Sequence, residues 1–277
     1  ESYGANLVVG GTTAADRNVI SGNASAYNIY LATGANGTTI QGNYIGTDAA
    51  GTSAFTTTNS SYGIMVESPA TNITIGGTAS GAGNLISGFT SRGVWVTTSG
   101  TTTLQGNKVG TDVTGTLDLG NTQYGVYIDD TGSVIIGGTA TNAGNLISGN
   151  NGGGIYANNT GSVTVQGNII GLDASGTSAL GNTGPGIYLS SSAVSTIGGN
   201  TAAARNVISG NSSHGILVES SQAHVIRGNY IGTDATGLLD RGNSGDGIRI
   251  ESGAGTTTVG GTSAVQRTTS SGNDGIG

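Results

Sequence analysis

Gln41-Gly-Asn-Tyr-Ile-Gly-Thr-Asp48 returns as Gln105-Gly-Asn-Lys-Val-Gly-Thr-Asp112, Gln166-Gly-Asn-Ile-Ile-Gly-Leu-Asp173 and Arg227-Gly-Asn-Tyr-Ile-Gly-Thr-Asp234, in steps of 64, 61 and 61 residues. A second phrase, Asn-Val/Leu-Ile-Ser-Gly, falls midway at Asn18, Asn84, Asn145 and Asn206, so each long period holds two similar units of about 30 residues. Self-similarity on this scale marks a solenoid, in which a unit buries its apolar side only against its neighbours.

Each unit carries three short apolar segments separated by glycine-rich corners, as in Thr39-Ile40-Gln41, Tyr44-Ile45-Gly46 and Gly63-Ile64-Met65-Val66. They are too short and too strictly alternating for helices, and β-branched residues dominate them. Strands this short satisfy their backbone only when the same strand of successive units stacks in parallel, which describes a parallel β-helix. Aligning the units gives an inward column of Ile20, Ile45, Ile86, Val109, Ile147, Ile170, Ile208 and Ile231. Pairs such as Ile64/Val66, Val126/Ile128 and Ile216/Val218 supply two more.

Two residues before the first column runs an unbroken series of Asn18, Asn43, Asn84, Asn107, Asn145, Asn168, Asn206 and Asn229. Amides stacked at about 4.8 Å hydrogen-bond along the axis, so this series is expected to be a structural corner ladder. A second series, Asn23, Asn59, Asn121, Asn150, Asn182, Asn211, Asn243 and Asn273, is interrupted only by Phe89.

Composition agrees with a long narrow core: 54 glycines, 2 prolines and 34% hydrophobic residues in 277. Charged residues are only 8%, the net charge is −7, and no Lys/Arg cluster exists to neutralise phosphates, which argues against nucleic acid as a partner. Nor does any apolar run approach the length of a membrane span. Without cysteine there are no disulfides or thiolate metal sites. Low charge with abundant Thr, Ser, Asn and Gly leans toward an extracellular or cell-surface setting.

The Gly-Asn-x-Ile-x-Gly and Gly-Ile-x-Val phrases resemble the right-handed parallel β-helix repeats of bacterial extracellular proteins and of pectate-lyase-like carbohydrate enzymes. The resemblance implies an all-β, three-sided right-handed parallel β-helix, a single domain over residues 1–277 with about nine coils, alternately of about 29 and 32 residues. Glu1-Ser2 aligns with Glu251-Ser252, and Arg17-Asn18 with Arg267-Thr268, at a constant offset of 250. The chain is therefore expected to begin part-way through a coil, as a piece of a longer one. At the last coil Thr268 and Ser270 replace the ladder Asn and the core Ile, which reads as a polar cap.

Between the inward residues of the Gly-Ile-x-Val strands, the outward positions read Tyr30, Met65, Trp95, Tyr127, Tyr156, Tyr188, Leu217 and Arg249. Two residues further they read Ala32, Glu67, Thr97, Asp129, Asn158, Ser190, Glu219 and Glu251. An aromatic stripe beside a polar and acidic one suits sugar rings, so Tyr30, Trp95, Tyr127, Tyr156, Tyr188, Arg249, Glu219 and Glu251 are the candidate ligand-binding residues. Stacked rings also stabilise neighbouring strands without any ligand.

If the chain were an enzyme, Asp129, Asp130 and Glu67 are the best catalytic candidates. Asp129-Asp130, His214-Gly215 and Arg249-Ile250 resemble elements of polygalacturonases, but His214 falls about three levels from Asp130, near 14 Å at about 4.8 Å per level. No catalytic residue is therefore expected. Asp48, Asp112, Asp173 and Asp234 each precede a Gly by three residues, ordinary turn chemistry, with calcium as the alternative. His214 and His224 lack a third ligand for zinc. The expectation is a non-enzymatic extracellular module: a rigid stalk, fibre element or surface adhesin segment, without cofactor, whose partner is a polysaccharide or another copy stacked end to end. A carbohydrate-binding or carbohydrate-active β-helix working through the aromatic and acidic face is the alternative.

Overall fold

The computed structural model describes residues 4–55, 60–98, 100–192, 194–219, 222–251, 253 and 255–275. Asn59 of the second ladder, and Glu1, Ser2 and Ser252 of the end alignment, lie outside the described residues. The chain winds right-handed into three parallel sheets. The first runs from Val8–Gly10 through Thr39–Gln41 to Thr258–Val259 with nine strands. The second, also of nine, runs from Val19–Ile20 through Tyr44–Ile45 to Thr269–Ser270. The third has eight, from Tyr27–Leu31 through Tyr62–Glu67 to Ile248–Ile250. Eight coils thus contribute to all three faces and a ninth to two, close to the coil count expected.

Register follows the columns read from sequence. Ile20 pairs with Ile45, Ile45 with Ile86, and so on rung by rung to Ile231, whose next partner is Ser270. From Ile45 to Ile231 these side chains are buried and join one core with Ile40, Ile75 and Leu104 of the first sheet and Val66, Val96 and Ile128 of the third. In the ninth coil Ser270 is half-buried, while Val259 and, one coil earlier, Ile250 keep nearly half their surface exposed, so polarity replaces the core column on the second face alone.

The first ladder is continuous. Each amide Nδ2 from Asn18 to Asn206 donates to Oδ1 of the next at 2.9–3.1 Å, and most reach a main-chain carbonyl as well, as Asn145 does to Leu104 O at 2.9 Å. Amide stacking thus supplies the acceptors and donors that the sharp corner denies the backbone.

Why the true period is two coils becomes clear outside the second sheet. Plain coils carry a long first corner, such as Gly77 to Gly83, and a tight second corner of Ser-Gly-Asn, with Phe89 in place of Asn in one of them. Alternate coils carry a tight Gln-Gly-Asn first corner and then an Asp turn closed by an isolated antiparallel bridge, as between Thr47 and Ala54 or Thr111 and Asp118. Sequence spacing sets successive Asp turns two levels apart, yet they bond directly: Val113 N donates to Gly51 O at 2.8 Å, Ala174 N to Gly115 O at 2.9 Å and Ala235 N to Gly176 O at 2.8 Å. The turns lean across the plain coil between them and form a continuous rail. Beneath it Leu85, Leu146 and Val207 point away from the core and are nonetheless buried. Gly51 permits this closeness, since it has φ +70° and a Cβ there would come within 3.0 Å of Leu85 Cδ2.

Candidate functional site: the outward aromatic face

The third sheet holds the outward column in the register expected. Tyr30 pairs with Met65, Met65 with Trp95, Trp95 with Tyr127, Tyr127 with Tyr156, Tyr156 with Tyr188, Tyr188 with Leu217 and Leu217 with Arg249. Ring centroids of Trp95 and Tyr127 lie 6.3 Å apart, those of Tyr127 and Tyr156 4.8 Å, and those of Tyr156 and Tyr188 4.8 Å. Met65 and Leu217 point the same way but are buried, so the stripe is open as rings and not as aliphatic surface.

A second outward column, which alternation does not reveal, flanks the first. Its members stand three residues before the outward column; Tyr62, Arg92, Tyr124, His214 and Asp246 each precede the glycine of the phrase, and Tyr27 precedes Asn28 at the same place. Tyr62 stands 5.0 Å from Trp95, Tyr124 5.1 Å from Tyr156, and Tyr27 5.1 Å from Tyr30. Arg92 lies over three rings, with its guanidinium carbon 3.6 Å from the centroid of Tyr127, 4.4 Å from Trp95 and 5.8 Å from Tyr62. Such cation–π contacts are worth about 0.5–2 kcal/mol each, so Arg92 fastens the middle of the stripe. The recurring residue before each Gly-Ile was the signal available in the sequence.

Each acidic candidate has a partner within the protein. Tyr30 donates its hydroxyl to Glu67, Tyr188 to Glu219, Asn158 to Asp129 at 2.8 Å and Asn159 to Asp130. Arg249 bonds Glu251 at 2.8 Å and approaches Asp246 at 3.7 Å. Burial first, then the Glu219 carboxylate, pushes the Tyr188 hydroxyl far above the ordinary phenol range. Tyr127 rises through burial and the nearby Asp129, with Arg92 pulling the other way. Glu67 and Asp129 are two rungs apart in one column, the Thr97 level between them.

His214 lies three rungs beyond Tyr124 on the flanking column, as spacing predicts. Its Nδ1 accepts the Asp246 N–H at 2.9 Å and lies 3.5 Å from the Asp246 carboxylate. His224 is elsewhere, buried on the first sheet, where Nδ1 accepts the Ser195 N–H at 3.1 Å and burial holds the imidazole below its usual range. Among the described residues no group of three or more His, Cys, Asp or Glu side chains converges as a metal ligand set.

The four Asp turns have the capping geometry. Asp112 Oδ1 accepts the N–H of Thr116 at 2.9 Å and of Leu117 at 3.0 Å, and Oδ2 accepts the Thr114 hydroxyl at 2.6 Å. Asp48, Asp173 and Asp234 repeat the arrangement. All four carboxyls are held below the ordinary range. At Asp48 and Asp234 a donated N–H, from Thr52 and Leu239, leads; at Asp112 and Asp173 partial burial pulls upward first and is outweighed by the Thr114 and Ser175 hydroxyls and the turn N–H groups.

Acid sensitivity follows from these directions. Carboxyls with folded values below 3.8 stabilise the fold above that pH, and the stabilisation is lost as pH falls through the folded values. His224, neutral when folded, adds an earlier loss as pH falls below the unfolded imidazole value of 6.5. Asp118, raised by burial, works in the opposite sense. Urea midpoints are expected to fall in two stages, below about pH 6.5 and again below about pH 4. A midpoint that holds or climbs on acidification would contradict this reading.

A family model described as right handed beta helix region matches residues 83–264. No curated protein and no solved structure shows a significant match to the chain.

Proposed function

The chain belongs to the right-handed β-helix family, and from that premise we propose that it works as a non-enzymatic, extracellular, rigid module. The observation that carries the proposal is the commitment of its polar groups. The first amide ladder runs unbroken across eight coils, and the outward carboxylates Glu67, Asp129, Asp130, Glu219 and Glu251 each serve an internal partner. General acid–base chemistry needs a carboxyl group free to face a substrate proton, and paired groups two rungs apart are poorly placed for it.

A specific observation also favours an adhesive role: five rings, Tyr62, Trp95, Tyr127, Tyr156 and Tyr188, follow one another along one face in tilted and T-shaped contacts with hydrogen-bonding side chains beside them. Sugar rings stack on such surfaces while their hydroxyls meet Glu67, Asp129 and Glu219. The test is incubation of the purified chain with a panel of neutral and acidic polysaccharides, reading Trp95 fluorescence and released chain ends together. The expected result is a fluorescence change without cleavage, with Tyr156→Ala weakening binding by about tenfold, one ring's worth. Cleavage that disappears in Asp129→Asn would overturn the non-enzymatic reading, and a silent Trp95 across the panel would overturn the adhesive one.

A further inference from the structure

The second ladder breaks once among the described residues. From Asn121 through Asn150, Asn182, Asn211 and Asn243 each amide donates to the next Oδ1 at 2.8–2.9 Å. One coil below Asn121 the position is Phe89, whose ring turns into the core against Gly46 and Gly63, and only its main-chain N–H reaches Asn121 Oδ1, at 3.2 Å.

The break displaces the neighbouring chain. Gly149 and Gly210 donate their N–H to Leu180 and Arg241, each seven residues past the Asp of its turn, at 2.9 and 2.8 Å. Gly88 donates instead to Gly120, eight residues past Asp112, at 2.6 Å, and Gly120 takes φ +47°. At this one-residue slip lies a groove of about 570 Å³, within the range of small-ligand sites.

Its polar lining is Thr52, Ser53, Thr90, Thr122, Asn151 and Asp118. Among the described residues the rim therefore offers four hydroxyls, one amide and one carboxylate, and no cationic side chain lines it. Among the described residues no salt bridge reaches Asp118. Asp118 is exposed to solvent, and the protein around it pushes its carboxyl up, with the Gly120 N–H opposing. An anionic ligand would meet that carboxylate uncompensated, whereas a hydroxyl-rich ring bearing a cationic group would satisfy the lining and the charge together.

We propose that this groove is a binding site for an amino sugar, with ring hydroxyls against the threonine and serine lining and the ammonium group at Asp118. It lies on the rail side of the rod, separate from the aromatic face, and stands or falls independently of it.

The test is a nuclear magnetic resonance titration of the intact chain with glucosamine and, separately, glucose at neutral pH. Glucosamine is expected to shift the amides of Thr90, Thr122 and Asn151 at millimolar concentration and to bind more tightly than glucose. Asp118→Asn is expected to weaken glucosamine by about fivefold while leaving glucose unchanged, the effect of one exposed charge pair. Thr90→Trp, which retains Asp118 and crowds the groove, should abolish both responses, and Tyr156→Ala should alter neither. Unmoved groove amides, or glucosamine affinity unchanged in Asp118→Asn, would overturn the proposal.

Discussion

Asn145→Ala is expected to lower the stability of the fold by about 3–5 kcal/mol, an effect of the size usually reserved for large core deletions. Asn145 is buried, with Oδ1 accepting both the main-chain and side-chain N–H of Asn107, at 2.9 and 3.0 Å, while Nδ2 donates to Leu104 O and Asn168 Oδ1, each at 2.9 Å. Alanine removes all four bonds at once. It leaves the Asn107 N–H buried without its acceptor, and an orphaned buried group costs about 1–3 kcal/mol before the lost bonds are counted. Because each coil touches only its neighbours, the damage concentrates at one interface. Urea unfolding should shift to lower concentration and lose cooperativity, with the two halves of the rod melting apart. Asn23→Ala at the exposed end of the second ladder, which removes one bond to Asn28, is expected to cost under about 1 kcal/mol. Equal small losses at both positions would show that the ladder is decoration on a fold held by its apolar core.

The fold was legible because the chain states it repeatedly. Strands of two to six residues give little evidence singly, but Ile45, Ile86, Val109 and Ile147 recur at the same distance from the ladder asparagines, and the register of the second sheet is the alignment of those phrases. The third sheet was read equally well from Gly-Ile-x-Val, since alternation assigns each residue a side. Alternation also hid half of the candidate site. Tyr62, Arg92 and Tyr124 lie three positions before the column read as outward, and the glycine between them resets the alternation, so a strict period of two passes over them. Direction, moreover, does not fix exposure. Met65 and Leu217 point outward and are nonetheless buried.

Polar commitment is the thread joining fold to function here. Corner amides, turn aspartates and outward carboxylates are each satisfied by a neighbour one coil, or one turn, away. On the proposed reading, a face whose carboxylates are already paired presents mainly its rings to an extended ligand. The groove at Phe89 is where that periodic pairing slips by one residue, and Asp118 lies at the slip.

Leu85→Ala carries the second large effect, and it discriminates between two pictures of the rod. Strand alternation places Leu85 on the outer side of the second sheet, next to inward Ile86, and an outer leucine replaced by alanine ordinarily changes stability by less than about 0.5 kcal/mol. The rail changes the expectation. Leu85 is 2% exposed, with Gly51 of one Asp turn packed on it and Val113 of the next bonded to that same Gly51 at 2.8 Å. Truncation therefore opens a cavity under two bridged turns, at a cost of about 2–4 kcal/mol, as for a buried leucine. Leu117, on the second of those turns but 58% exposed, is the internal control, and its alanine variant should stay within about 0.5 kcal/mol. The two-coil period follows from the same packing: a plain coil needs an Asp turn on each side to cover its outward leucine, so the turns recur every second coil. If Leu85→Ala proves as mild as Leu117→Ala, the turns are loops resting on a finished surface; a core-sized loss makes them a second, outer layer of the fold.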